Sequence, residues 1–283
     1  MNLKNLPKNK LKLADYTTIG IGGMAKEFFP AASLQELKGV VRRYKFDFYL
    51  LGGGSNLLVA DHMLSKPVVK LCGKFDFIDS VGTNLEAGAA APFARLIKYC
   101  EKTRLGGLEN LAGIPATVGG MLVMNASAYQ RAISDCLTEV EIFDRKKKVR
   151  WLKREKIYFA YRDSSLKDSI VLRARFKLRE DRFIKEKAAD FIKERFAKQD
   201  YSAPSCGCIF KNPQGFSAGY LIDSCGLKGT RKNDAQISLK HANFIINLGK
   251  AACKDVEYLI HKAKEAVNKK FNIILEEEVV RWS

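Results

Sequence analysis

Apolar residues recur at helical spacing in five stretches of the chain. Ser33-Leu-Gln-Glu36 stands before LKGVVRRY, a capping-box signature in which a hydroxyl and a carboxylate serve the free amides of a helix start. Pro92 precedes FARLIKYCEK, which predicts a second helix. Residues 182–199 place Phe183, Ile184, Ala188, Phe191, Ile192 and Phe196 near one helical face. GYLIDSCG, residues 219–226, predicts a short helix closed by Gly226, and Asp255 opens a longer one with Val256, Leu259, Ile260, Ala263 and Val267 as its apolar stripe. Runs with strand character lie between them, at 47–51, 56–60, 68–71, 139–144, 169–178 and 241–249. The mixture predicts an α+β protein with many strand-to-strand connections rather than strict βαβ alternation. There is no internal repeat and no low-complexity linker. The turn-rich YSAPSCG after the helix at 182–199 marks the best domain boundary.

Composition narrows the class. Of 283 residues 47% are apolar and 10% aromatic, enough for a packed core and against a disordered chain. No apolar run reaches the roughly 18 residues that span a bilayer. The opening MNLKNLPKNKLKLAD has neither the apolar segment nor the cleavage site of a secretory signal. A cytoplasmic protein with no membrane contact is the expectation. The 49 basic and 31 acidic residues give a net charge of +18, which attracts polyanions and anionic small molecules. The basic residues are scattered, and clusters such as Arg145–Lys148 stay short. A solvated basic surface, a pocket for a phosphorylated ligand and a nucleic-acid face all satisfy the charge. The last lacks interleaved exposed aromatics and a recognised module. The cysteines Cys72, Cys100, Cys136, Cys206, Cys208, Cys225 and Cys253 are odd in number, contain no CxxC pair and have three histidines for company. Neither a disulfide framework nor a metal site is expected. Most sit beside apolar residues as small core side chains, whereas Cys206 and Cys208 lie in a turn-rich loop.

Five segments carry candidate chemistry. LLGGGSNLLVAD, residues 50–61, sets three glycines and a serine between apolar runs. It reads either as a glycine-rich hairpin or as a nest of backbone amides for an anion. It is neither a Rossmann fingerprint nor a Walker A loop. GGLENLAGIPATVGGMLVMNASAY, residues 106–129, is a second glycine-rich stretch. Two such nests suit a ligand with two phosphates, and two structural turns are the alternative. AYRDSSL, residues 160–166, holds an arginine able either to pair structurally or to grip a carboxylate in a planar fork. APSCGCIFKNPQGFSAGYLIDSCGLKG, residues 203–229, carries two thiols, which are either buried small residues or proton donors on a tight loop. LEEEVVRW, residues 275–282, ends the chain with three adjacent glutamates.

Together these segments resemble the UDP-N-acetylenolpyruvoylglucosamine reductases, flavoproteins that complete UDP-N-acetylmuramate in peptidoglycan synthesis. The matching stretches are TTIGIGGMA (17–25), LGGGSNLLVAD (51–61), GLENLAGIPATVGG with MNASAY (107–129), YRDS (161–164), GCIFKNP (207–213), SAGYLID with GLKG (217–229), ISLKHANFIIN (237–247) and LEEEV (275–279). They fall in family order along nearly the whole chain. An oxidase or dehydrogenase on the same flavin scaffold would keep both glycine loops but not the YRDS, FKNP and C-terminal glutamate set.

The resemblance implies an FAD-binding region of the vanillyl-alcohol-oxidase (PCMH-like) type, with subdomains at 1–72 and 73–200. It implies an α+β substrate-binding domain at 201–283 whose end returns to the first subdomain. Gly52, Gly53, Gly54, Ser55, Asn56 and Leu57 match the loop around the FAD pyrophosphate. Gly113, Ile114, Gly119, Gly120, Asn125 and Ala126 match the second flavin-contacting stretch. NADPH is the implied hydride donor to the flavin, which then reduces UDP-N-acetylglucosamine enolpyruvate. Arg162 would hold the substrate carboxylate, Glu278 would donate a hydrogen bond to the developing enolate, and Cys208 would deliver the proton that many members take from serine. Tyr129, Lys211, Asn212 and Lys228 match positions near the substrate. No metal, specific nucleic acid or obligatory protein partner is implied. The chain departs from the family at Ala116 and Ser127, where glycine is usual, and at Glu277, where proline is usual. Its length suggests the shorter (type II) branch, which lacks an extra substrate-capping loop.

Overall fold

The computed structural model describes residues 10–283. In chain order its strands are β1 (Phe28–Ala31), β2 (Tyr49–Leu51), β3 (Leu57–Val59), β4 (Val68–Leu71), β5 (Ile78–Val81), β6 (Asn84–Gly88), β7 (Leu137–Phe143), β8 (Val149–Lys153), β9 (Ile170–Lys177), β10 (Ser205–Cys208), β11 (Arg231–Lys232), β12 (Ala235–Ile237), β13 (Phe244–Asn247) and β14 (Val280–Trp282), besides several two-residue pairs. Its helices are α1 (Leu34–Tyr44), α2 (Phe93–Thr103), α3 (Val118–Val123), α4 (Ile184–Lys198), α5 (Ala218–Ser224) and α6 (Cys253–Phe271). The chain divides into two compact units. The first comprises residues 29–53 and 68–195; the second comprises 10–28, 54–67 and 196–283.

The first unit is built on a five-stranded sheet of order β8-β7-β9-β6-β5, with a smaller β1-β4-β2 sheet in which β2 and β4 run parallel. Alternation buries one face of the larger sheet. Leu85, Ala87, Val140, Ile142, Leu172, Ala174 and Phe176 are at most 3% exposed and join α2 and α3 in one core. Burying a side chain such as Phe176 contributes roughly 1.5–3 kcal/mol. The opposite face is a charge ladder: Arg173 bridges Glu86 and Glu141, Arg175 takes Glu86 and Glu139, and both guanidinium groups lie over the Trp151 ring.

The second unit packs α5 and α6 with a four-stranded sheet of order β10-β13-β12-β11, while β14 pairs in parallel with β3, Val280 opposite Leu57. The expected stripe of α6 is buried throughout.

Local signals hold with two adjustments. Ser33 Oγ accepts from Glu36 N, but the Glu36 carboxylate reaches back to Ala32 N at 2.7 Å. Helix α6 starts at Cys253, two residues before the expected Asp255, whose carboxylate instead accepts from Ala252 N in its first turn. The expected apolar face of α4 is corrected more substantially. Phe183 and Phe196 are about half exposed, and the buried face is Ile184, Ala188 and Arg195. Arg195 is buried because its Nε donates to Ala112 O at 3.0 Å, satisfying a turn carbonyl that no apolar side chain could serve.

Candidate active site

In the first unit the two glycine-rich stretches meet. A Cβ on Gly52 would lie 3.1 Å from Thr117 Oγ1, and one on Gly53 would lie 3.1 Å from Ala116 Cα. The glycines thus admit the 115–117 loop at backbone distance. Lys70 Nζ donates to Gly52 O at 3.0 Å from beneath the loop, and burial pulls its pKa down. Ala116 is absent from the residues with positive φ, so its Cβ costs nothing where glycine is usual. The start of α3 satisfies itself: Val118 N donates to Ala91 O, Gly119 N to Ala89 O and Gly120 N to Thr117 Oγ1. Gly119 also presses on Ala89, where a Cβ would come to 3.0 Å. Gly119 and Gly120 therefore shape the turn rather than offering amides outward. Gly113 turns at φ +82, with Ile114 partly buried on the core beside it.

Beyond α3 two tight hairpins carry left-handed, non-glycine residues. Tyr129 (φ +52) and Gln130 (φ +62) link Ser127–Ala128 to Arg131–Ala132. Arg162 (φ +56) is the second linking residue between Phe159–Ala160 and Asp163–Ser164. Asn125 has φ +43. Each such conformation costs about 1–2 kcal/mol, and clustering of this kind marks functional sites. The hairpins are tied together. Arg162 Nη1 donates to Ser127 O at 3.1 Å and to its Oγ at 3.4 Å, Asn125 Nδ2 donates to Ala160 O at 2.9 Å, and Ser164 Oγ donates to Val123 O at 2.7 Å. Asn125 Oδ1 is buried with no hydrogen-bond partner in the chain. Ala126 is buried beside it, and Tyr129 packs on Phe191 at 4.7 Å between ring centroids.

In the second unit Gly54 sits at φ +68, and a Cβ there would run into Tyr16 O. Ser55 follows, and then Asn56, whose Nδ2 donates to Glu278 O at 2.9 Å just before Leu57 opens β3. The two thiols of β10 part company. Cys206 is buried, and desolvation pushes its pKa up to about 12, which makes it inert. Cys208, after Gly207 at φ +77, is half-buried. The C-terminal tail lies along the next residues: Glu278 N donates to Ile209 O at 2.8 Å and Lys211 N to Glu276 O at 2.9 Å.

The three glutamates thereby separate. Glu276 pairs with Lys211, Glu277 with Lys264 and Arg281, and Glu278 lies at the residue after Cys208. Asn212 Oδ1 accepts from Ala218 N at 3.0 Å, capping α5, and Lys228 pairs with Asp223 at 2.7 Å.

Residues 199–282 match the UDP-N-acetylenolpyruvoylglucosamine reductase C-terminal domain, and residues 30–153 match an FAD binding domain. The chain is 36% identical over 279 residues to the UDP-N-acetylenolpyruvoylglucosamine reductase of Clostridium novyi, covering 96% of this chain and 91% of that one. It belongs to the UDP-N-acetylenolpyruvoylglucosamine reductase family. The Thermotoga maritima reductase is 38% identical over 277 residues, covering 96% of this chain and 97% of that one. The crystal structure of the Thermus caldophilus reductase superposes with a TM-score of 0.87 at 39% identity, covering 98% of this chain and all of the other. The α+β class expected from the sequence, an FAD-binding domain followed by the family's C-terminal domain, is the one found. Membership in this reductase family makes the chain a flavin-dependent oxidoreductase of peptidoglycan synthesis with FAD as its cofactor.

Fit to FAD is visible within this reductase chain. The buried, orphaned Asn125 Oδ1 is a feature that a bound group explains. Three contributors were not singled out from sequence for what they do. Lys70 supports the glycine loop from the middle of an apolar strand, where nothing local marks it. Ser127, which the sequence marks as a hydrogen-bonding group and a departure from glycine, holds Arg162. Glu277, noted only as a departure from proline, anchors the tail. No helix among the described residues is long and apolar enough to cross a membrane.

Proposed function

We propose that the chain reduces UDP-N-acetylglucosamine enolpyruvate to UDP-N-acetylmuramate, with NADPH as electron donor, in the bacterial cytoplasm and without an obligatory protein partner. Residues 1–72 and 73–200 serve the flavin and 201–283 the substrate. The observation that carries this reading is the register of the C-terminal tail, in which Glu278 N donates to Ile209 O, the residue after Cys208, while Glu276 pairs with Lys211 and Glu277 with Lys264.

Backbone at 52–57 and at Gly113, Ile114, Asn125 and Ala126 would hold FAD, with Gly119 and Gly120 shaping the turn between them. Held there, FAD would supply the hydride chemistry between NADPH and the enolpyruvyl methylene carbon. The chain's own groups manage the resulting charge and proton. Arg162, fixed by Ser127, offers its guanidinium to the substrate carboxylate, a pairing of fork and planar anion. Glu278, protonated, donates a hydrogen bond to the developing enolate oxygen. The Cys208 thiol transfers its proton from Sγ to the adjacent carbon, and the thiolate is reprotonated from water. A thiol is far more acidic than a hydroxyl, with an ordinary pKa of about 8.5, so this transfer is easier than from serine. Tyr129, Lys211, Asn212 and Lys228 line the substrate's path, the lysines exchanging Glu276 and Asp223 for phosphate oxygens.

The test is an anaerobic visible spectrum of the purified protein. Flavin bands that bleach with NADPH and return on adding the enolpyruvyl UDP-sugar are expected. A protein that stays colourless after FAD is supplied, or whose bleached flavin ignores the sugar, overturns the reading.

A further inference from the structure

We propose that Glu277 is a positioning residue for Glu278: its clamp on Lys264 and Arg281 selects the register that sets Glu278, rather than another glutamate, beside Cys208. This rests on the roles given above to Glu278 and Cys208.

The tail needs such a device. Three consecutive glutamates are chemically identical, so a slip by one residue along the 209–211 segment presents the same functional group from the wrong backbone position. Pairing with that segment is short: the tail meets it through one isolated bridge, Phe210 opposite Glu277, with three hydrogen bonds, Glu278 N and Val279 N to Ile209 O and Lys211 N to Glu276 O.

Buried Leu275 and Val279 anchor the ends, and Asn56 holds the backbone after Glu277, donating to Glu278 O and accepting from Val280 N. Between them the polar contacts distinguish one glutamate from the next. Glu277 accepts from Arg281 Nε at 2.7 Å and Nη2 at 2.9 Å, a two-pronged fork, and from Lys264 Nζ on α6. Arg281 is itself held by Glu257 on α6 through Nη1 at 3.1 Å. The Glu277 side chain is 19% exposed, against 72% for Glu276, whose partner is Lys211 alone. Burial pushes the Glu277 carboxyl up, yet the hydrogen bonds and charges of Lys264 and Arg281 outweigh it and hold the group below the ordinary carboxylate value. A register shift would carry Glu277 and Arg281 together away from Lys264 and Glu257 on α6 and set a different glutamate there, so it is the contacts to α6 that resist the slip.

The experiment compares flavin-loaded wild type with Glu277→Gln, Glu277→Pro and Glu278→Gln. Two quantities are read: amide hydrogen exchange at Glu278 and Val280, and the rate at which NADPH-reduced flavin is reoxidised by the enolpyruvyl UDP-sugar. Glu277→Gln is expected to speed exchange and slow reoxidation by about tenfold each, the scale of a lost hydrogen bond to a charged group, with flavin reduction by NADPH unaffected. Glu277→Pro restores both, because the ring restrains the backbone in place of the clamp and the three bonds run through Glu276 O, Glu278 N and Val279 N. Wild-type exchange and reoxidation in Glu277→Gln, with Glu278→Gln impaired, overturn the inference. Wild-type reoxidation in Glu278→Gln overturns instead the role of Glu278 on which the inference rests.

Discussion

Asn56 and Glu278, 222 positions apart, are joined by a hydrogen bond from Asn56 Nδ2 to Glu278 O at 2.9 Å. Asn56 O in turn accepts from Val280 N at 3.0 Å, so one residue of the glycine loop grips the tail on both sides of Val279. Asn56→Ala removes a partly buried donor to the Glu278 carbonyl. A loss of about 1–3 kcal/mol in unfolding free energy is expected from denaturant titration, and an unchanged midpoint would show that the contact contributes nothing.

Cys208 and Cys206 should differ sharply on substitution. Cys208→Ala is expected to slow product formation by about 10²–10⁴-fold, the usual contribution of a general acid, while NADPH still bleaches the flavin. Cys208→Ser should keep much of the activity. Full turnover in the alanine variant would remove the thiol from the mechanism. Cys206, buried in the core, should be unreactive to thiol reagents in the native protein.

Gly54→Ala tests the glycine loop on steric grounds. Its φ is +68, and the new Cβ would collide with the Tyr16 carbonyl, which is backbone and cannot swing away. Destabilisation of about 3 kcal/mol or more is expected. Gly82, at φ +58 with nothing within 4 Å of a Cβ, is the control, since alanine there meets only the conformational cost.

Stability should also respond to pH through Glu277. Its folded pKa lies below the unfolded value, so its contribution is complete above an ordinary glutamate pKa of about 4.3 and disappears as pH falls through the folded value. Wild type should therefore lose more stability than Glu277→Gln between about pH 5 and pH 3 in urea titrations. Parallel curves for the two proteins would show that the clamp does not titrate in this way.

Ser127→Gly removes the hydroxyl that accepts from Arg162 and keeps the bond to the residue's backbone carbonyl. We expect a higher KM for the enolpyruvyl UDP-sugar by about threefold to tenfold, with flavin reduction by NADPH intact. Threonine should restore the lost acceptor, and a KM that stays at the wild-type value in the glycine variant would assign Ser127 to the turn alone.

Much of this was legible before any coordinates. Capping at Ser33, the stripe of α6 and the glycine clusters depend on neighbours a few residues away, so the chain displays them locally. Strands β5, β6 and β8 were not anticipated. Asp79, Ser80, Asn84 and Glu86 make IDSV and NLEAG look like loop, and only the partner strand bearing Arg173 and Arg175 gives the outward Glu86 a reason to be there. The face of α4 was misread for the same cause: Arg195 is buried by a distant turn carbonyl, and Phe183 and Phe196 are left outside.

The sequence by itself determined the class of protein, the glycine loops and the residue types available for chemistry, because helix caps, tight turns and acid–base groups are properties of short segments. The tertiary structure decided which glycines are required by close packing and which thiol is shut away. It also decided which of three identical glutamates donates its backbone amide to Ile209 O. Those outcomes depend on what approaches from elsewhere in the chain: the Tyr16 carbonyl on Gly54, the core around Cys206, and Lys264 and Arg281 on Glu277.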